Sequence, residues 1–294
     1  MPSFGIGSAG ATPAHFVSLR SVRAVLSLKS DREIGLMRQS GLCVWQAHQL
    51  VRDVVRPGAT TADIDAVVTD YFARCGAVPL FLNYPNQEVG KVPFPAATCT
   101  SINEQVVHGI PNNKPLVEGD IVSVDTGCRL NGWCGDAAWT YPVGQISPAV
   151  QRLLDVTLAT LELAFDLMQT KSKWSQVARE MDIYVRDHGY RTVECFVGHG
   201  IGRQMHEDPQ VPNFLSRGLR GSGDFRLEPG LVIAVEPMVN VGTKRVKLHR
   251  DQWTQSTADG KPSAHFEHTI AITRDGPVRL TEAPTPAEAA SLVS

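Results

Sequence analysis

Nowhere does the chain place two cysteines at Cys-x-x-Cys spacing, which excludes a zinc ribbon and a thioredoxin-like redox centre. No apolar run approaches the roughly 20 residues that a membrane-spanning helix needs, so no membrane partner is expected. Neither charge predominates. With 28 basic and 30 acidic residues the net charge is −2, and no polybasic surface for nucleic acid or anionic lipid is evident. The first 28 residues contain no Asp or Glu and are rich in Ser, Ala and Gly. They read as a disordered N-terminal extension. The same acid-poor composition, with Arg20 and Arg23, also suits a transit peptide. The expected compartment is therefore the cytoplasm, with an organelle as the alternative.

What remains is globular in composition, 43% apolar and 20% charged. The six cysteines (Cys43, Cys75, Cys99, Cys128, Cys134 and Cys195) are scattered and are expected as reduced thiols. No linker divides residues 29–285, which are expected to form one α+β domain followed by a tail at 286–294. Ser30 with Glu33, and Thr60 with Asp63, form capping boxes that open two helices. Arg56-Pro57-Gly58 stops the first and Gly76 ends the second. Residues 77–100 are irregular and proline-rich. Ser147-Pro148 opens a third helix, with Leu153, Leu154, Leu161, Phe165 and Met168 on one face. A fourth spans about 175–188. Strands are expected at 120–125, 191–197, 231–236 and 264–273, and a surface loop at 216–224.

There is an internal echo. "VEGDIVSVDTG" (117–127) and "EPGLVIAVEPM" (228–238) share a glycine, a mostly apolar run and an acid, so that Gly119 leads to Asp125 as Gly230 leads to Glu236. Duplication and coincidence both account for one such match. The burial of Asp125 beside Ile121, Val122 and Val124 calls for something that compensates its charge. Asn131-Gly132 is a strong hairpin signal. A turn there sets Asp136 opposite Gly127 and makes Asp125 and Asp136 diagonal neighbours on one face. Two carboxylates that close repel, and a divalent cation between them removes the conflict. His199 in "GHGIG", Glu236 at the end of its echo strand and Glu267 in "SAHFEHTIAIT" complete an oxygen-rich set with one imidazole. Taken singly, each has an ordinary reading as a turn cap, a solvent-facing strand residue or a loop histidine. Together they suit Mn, Fe, Co, Ni or Zn in a hydrolytic pair. The glycines of "GHGIG" lack the spacing and the Lys-Ser/Thr of a phosphate-binding loop.

"GHGIGRQMHEDPQVPNF" (198–214) resembles the methionine aminopeptidases. So do "SINEQVVHGIP" (101–111), "DTGCRLNGWCGDAAW" (125–139), "EPGLVIAVEPM" and "SAHFEHT", over a stretch from about Leu28 to Thr273. The short gap between His206 and Glu236 resembles the type 1 branch. The resemblance implies a pita-bread fold, two pseudo-symmetric α/β halves around a dinuclear metal site. It implies Asp125 on one metal, His199 and Glu236 on the other, and Asp136 and Glu267 bridging, with Glu236 also a proton shuttle. His108 and His206 would act near the scissile peptide, and Cys99, Phe94 and Trp253 would line the methionine pocket. The implied substrates are nascent polypeptide N-termini with a small second residue, met as a monomer, with the ribosome as a further expected contact. The glycines beside His199 would let a peptide approach the backbone.

Three features depart from the family pattern. Phe94-Pro95 stands where Tyr-Pro is usual, with a second Tyr84-Pro85 upstream of what reads as an insertion. Ala137 and Ala138 follow Asp136, and Ala234 precedes Glu236, where hydroxyl residues that support metal ligands are usual. Two other readings share the same ligands: a pita-bread hydrolase cleaving beside proline, and a non-catalytic pita-bread binding protein.

Overall fold

A pair of helices followed by a set of strands occurs twice along the chain. The computed structural model describes residues 26–286 apart from 87 and 89, together with 288 and 289. Nearly all of the N-terminal extension and the end of the C-terminal tail lie outside the described residues. In the first half, α1 (Asp31–Val54) and α2 (Thr61–Arg74) both begin with the expected capping boxes, at Ser30/Glu33 and Thr60/Asp63. Gly76 follows α2 with φ +66°, a left-handed turn that a side chain would strain. In the second half, α3 (Pro148–Met168) starts from a Ser147 cap and α4 (Trp174–Asp187) follows it. Phe165 is only half-buried, and the Arg279 guanidinium lies 4.0 Å over its ring. All six cysteines are free thiols.

Each half has its own sheet. The first contains Val78–Pro79, Cys99–Ile102, Ile121–Leu130 and Trp133–Pro142; the second contains Gly198–Gly200, Glu207–Val211, Val232–Val235, His268–Thr273 and Gly276–Arg279. Val44, Ile64 and Phe72 of α1 and α2 pack on Val122 and Val124. Leu153, Leu161, Trp174 and Met181 of α3 and α4 pack on Ile233, Val235 and Ile270. At about 25 cal/mol per Å² of apolar area buried, these two layers supply most of the drive to fold.

The echo is a structural repeat. Gly119 and Gly230 have φ +92° and +99°. The Asp120 N–H closes a turn on the Val117 carbonyl, and the Leu231 N–H does the same on Glu228, both at 3.1 Å. The glycine N–H then donates across to Val143 in one half (3.0 Å) and to Ile272 in the other (2.8 Å). Duplication accounts for this shared bonding; chance does not.

Two expected strands are broken. Residues 191–197 pair only at Arg191–Thr192, and the next strand begins at Gly198. Residues 264–273 divide into Ser263–His265, paired with Met238–Asn240, and His268–Thr273, paired with Val232–Val235. Both partner strands therefore change sheets at one level, and Glu236 and Glu267 occupy the two breaks. Glu267 is not the strand residue that alternation suggested. The first strand, by contrast, runs beyond the expected 120–125 to Leu130.

Both ends of the described chain are fastened. The Lys29 N–H donates to the Gly230 carbonyl (2.7 Å), and its ammonium meets Glu207 at 2.6 Å. Arg38 on α1 holds Glu288 at 2.9 Å and the Leu280 carbonyl at 2.8 Å.

Buried His48 joins α1 to the sheet, with Nδ1 2.9 Å from the Tyr141 hydroxyl and Nε2 donating to the Ala137 carbonyl at 3.0 Å. Burial lowers its pKa from the usual 6.5 to about 4. Its neutral form is therefore favoured by folding. The associated stability is complete above pH 6.5 and is lost as pH falls towards 4. Between pH 7 and pH 5 this one group should remove about 2 kcal/mol. Urea unfolding of the wild type and of His48→Gln at both pH values checks this. The variant should lose less stability than the wild type over the interval, and equal losses would contradict it.

Candidate metal centre

The hairpin register places Gly127 opposite Asp136 and Asp125 opposite Ala138, so the two carboxylates are diagonal neighbours as the turn at Asn131-Gly132 requires. Gly127 makes room for them: a Cβ there would lie 2.8 Å from Asp136 Oδ1. The second half comes in against this hairpin. The Glu267 N–H donates to the Ala138 carbonyl at 2.8 Å, and the Thr269 hydroxyl donates to the Asp136 carbonyl, also at 2.8 Å, while accepting from its N–H. Thr269 pairs in register with Ala234. Hydroxyl support thus comes from Thr269, at a level where Ala137, Ala138 and Ala234 can give none.

Ligand atoms of Asp136, His199 and Glu267 lie within 4.8 Å of one another. Glu236 lies alongside, with Oε1 3.8 Å from His199 Nε2. His199 Nδ1 is 2.9 Å from the Gly200 carbonyl. A carbonyl only accepts, so Nδ1 carries the proton and Nε2 presents its lone pair to the cluster. The fold itself requires the flanking glycines. A Cβ on Gly198 would lie 2.2 Å from the Ala234 carbonyl oxygen, and one on Gly200 would lie 2.2 Å from that of Asp208.

The electrostatics are those of a cation site. Burial, and then the neighbouring acids Asp136 and Glu236, push Asp125 well above the usual carboxylate range. Burial followed by the charges of Asp136, Glu236 and Asp125 does the same to Glu267. Glu236 is raised to about 8 by burial and by Asp136. Burial holds His199 down at about 3 and therefore neutral. Asp125 Oδ1, Asp136 Oδ1 and Glu267 Oε1 are buried with no hydrogen-bond partner among the described residues. Unpaired oxygens cluster in this way at a high desolvation penalty, which divalent cations offset. Four carboxylates with one neutral imidazole fit such ions.

A group of aromatic side chains adjoins the cluster. His206 packs edge-on to His199, with 4.3 Å between ring centroids, and is itself open to solvent. Its Nδ1 is 2.7 Å from the Tyr84 hydroxyl. His108, at φ +59°, stacks edge-on with Phe196 (5.4 Å) and Trp253 (6.3 Å). Phe94 is buried against Trp253 at 5.3 Å and shares its cluster with Cys99, Ile110 and Met205. Of the two candidate aromatics, Phe94 is buried within this cluster and Tyr84 packs against it with its hydroxyl on His206. The sequence reading missed Phe196 and His265. His265 stands two residues before Glu267 in an extended run, and residues so spaced point to the same side; that was the available signal.

Two repeated halves with a carboxylate-rich, imidazole-bearing centre at their seam define a pita-bread metallohydrolase. The chain belongs to metallopeptidase family M24, whose profile matches residues 35–274. It is 42% identical to methionine aminopeptidase 1 of Bacillus subtilis over 84% of this chain and 96% of that one. To methionine aminopeptidase 1 of Mycobacterium tuberculosis it is 38% identical, over 88% of this chain and 96% of that one. The crystal structure of methionine aminopeptidase from Thermotoga maritima superposes with a TM-score of 0.82 at 39% identity, covering 88% of this chain and all of that one. An Xaa-Pro dipeptidase from Bacillus anthracis shares the fold at a TM-score of 0.66 and 20% identity, over 88% of this chain and 62% of that one.

Proposed function

We propose that the chain is a type 1 methionine aminopeptidase, which hydrolyses the first peptide bond of chains that begin with methionine followed by a small residue. The observation that carries this is the convergence of Asp125, Asp136, His199, Glu236 and Glu267 next to the side chains of Phe94, Cys99, Phe196 and Trp253. Aromatic surroundings suit a methionine side chain, whose thioether gains about 0.3–1.5 kcal/mol against ring edges. Its substrates would be nascent-chain N-termini, met by a monomer in the cytoplasm with the ribosome at hand.

Asp125, Asp136, His199, Glu236 and Glu267 would hold two divalent cations. When bound, these supply Lewis acidity that polarises the scissile carbonyl and makes water nucleophilic at neutral pH. The other steps fall to the chain's own side chains. Glu236, with its raised affinity for a proton, takes one at a carboxylate oxygen and passes it to the departing amine. The Tyr84 hydroxyl lies 2.7 Å from His206 Nδ1; in this reading it is the donor, which places the ring proton on Nε2. That N–H is then available to the oxyanion that develops at the carbonyl. His108, kept neutral at about pKa 4 by burial and by His206, orients the substrate amide from its place against Phe196 and Trp253.

Incubating cobalt-loaded protein with Met-Ala-Ser, and in parallel with Xaa-Pro peptides, tests the assignment. Methionine is expected from the first and no product from the second. No methionine release would end this reading, and cleavage confined to the proline peptides would move the activity to the other branch of the fold. Tyr84→Phe removes one neutral hydrogen bond worth about 1 kcal/mol. Turnover should fall about five- to tenfold with KM little changed. Steady-state kinetics decide, and an unchanged kcat would free Tyr84 of this role.

A further inference from the structure

Glu236 stands between two imidazoles, one for each carboxylate oxygen. His199 Nε2 faces Oε1 at 3.8 Å and His265 Nε2 faces Oε2 at 3.7 Å. His265 is 2% exposed, and its Nε2 is buried without a hydrogen-bond partner among the described residues. We propose that His265 is a positioning residue for the metal centre, its Nε2–H holding the second oxygen of Glu236 so that the first is presented beside His199.

The two histidines play opposite parts for a reason of tautomer. His199 has its Nδ1 proton committed to the Gly200 carbonyl, so Nε2 offers a lone pair. His265 Nε2 faces an acceptor, so the complementary form carries the proton there. The backbone is braced for this. The Thr140 hydroxyl donates to the His265 carbonyl at 2.8 Å and accepts from its N–H at 2.9 Å. Those bonds run to the strand that also carries Asp136, so the imidazole is referenced to the opposite half of the molecule. His265 lies in the strand Ser263–His265, which leads into the break holding Glu267, and is paired with Met238 just beyond Glu236. The 3.7 Å separation is about 0.5 Å beyond hydrogen-bond range, a gap that a small rotation of the carboxylate closes. Among the described residues, the only acid that His265 Nε2 is shown to face is Glu236, so the imidazole acts through that carboxylate.

The inference rests on the metal-centre reading above, and the experiment separates the two. Chelator-stripped wild type, His265→Gln and His265→Leu are titrated with Co²⁺, read by calorimetry and by the visible d–d absorption of the bound ion. His265→Leu should bind cobalt 10- to 100-fold more weakly, on the order found when residues supporting metal ligands are removed, with an altered d–d spectrum. His265→Gln keeps an N–H donor and should restore affinity to within a few-fold of wild type. If His265→Leu does not fold, His265→Met replaces it as the donor-free variant. Wild-type affinity and spectrum in the donor-free variant would overturn this inference alone. A wild-type protein that takes up no cobalt would overturn the metal-centre reading and this inference with it.

Discussion

Asp136→Asn should make the metal-free protein more stable and leave it inactive. Asp136 contributes to the raised pKa of Asp125, Glu236 and Glu267, acting in each after burial. The amide keeps the shape of the side chain and removes one of four mutually repelling carboxylates from a dry site. Removing a charge from such a buried cluster is worth on the order of 2 kcal/mol, within the range by which replacing buried charges stabilises other folds. In a domain of this size that should raise the melting temperature by about 4–8 °C. The same change removes one carboxylate of the group that could hold a metal ion. Cobalt uptake should fall below two ions, and turnover should drop on the order of 10³-fold or more through the loss of several kcal/mol of charge stabilisation. Calorimetry of chelator-treated proteins at pH 8, with metal analysis and the Met-Ala-Ser assay, provides the check. A lower melting temperature, or full cobalt binding, would show that these acids are not held together for a cation. A site that destabilises its own fold until loaded is a familiar compromise between stability and function.

The second large effect falls on His206. His206→Ala should reduce kcat by about 10²–10³, the range seen when one oxyanion donor is lost, with KM within a few-fold of wild type. That split follows if the donor acts on charge that appears only in the transition state. His206 is solvent-exposed, so the melting temperature should be unchanged, which separates a chemical loss from a structural one. A rise in KM at constant kcat would recast His206 as a substrate-binding residue. The effect should exceed that of Tyr84→Phe, because the phenol acts only through the imidazole.

Much of this was legible without coordinates. Ser30/Glu33 and Thr60/Asp63 place helix starts because a cap is satisfied within four residues. Asn131-Gly132 sets the hairpin register, and with it the Asp125–Asp136 pair, because a two-residue turn leaves no freedom in what faces what. Glu236 and Glu267 were found as chemistry but not as geometry. Alternation gives no warning that a strand will leave one sheet for another, and both acids sit at such exits. Phe196 went unnoticed since it joins the site through His108, far away in the chain, and the spacing of His265 to Glu267 gave no hint that it faces Glu236.

The local sequence by itself determined the caps, the turns, the hairpin register and which side chains could offer ligands to a cation, since each depends on neighbours a few residues apart and on functional-group chemistry. Only the tertiary structure decided that the Asp125–Asp136 hairpin meets the breaks at Glu236 and Glu267, that Tyr84 reaches His206, and that His265 faces Glu236. Those contacts arise when two separately cored halves dock along one seam, and the geometry of that docking is a property of packed surfaces that no short stretch of chain contains.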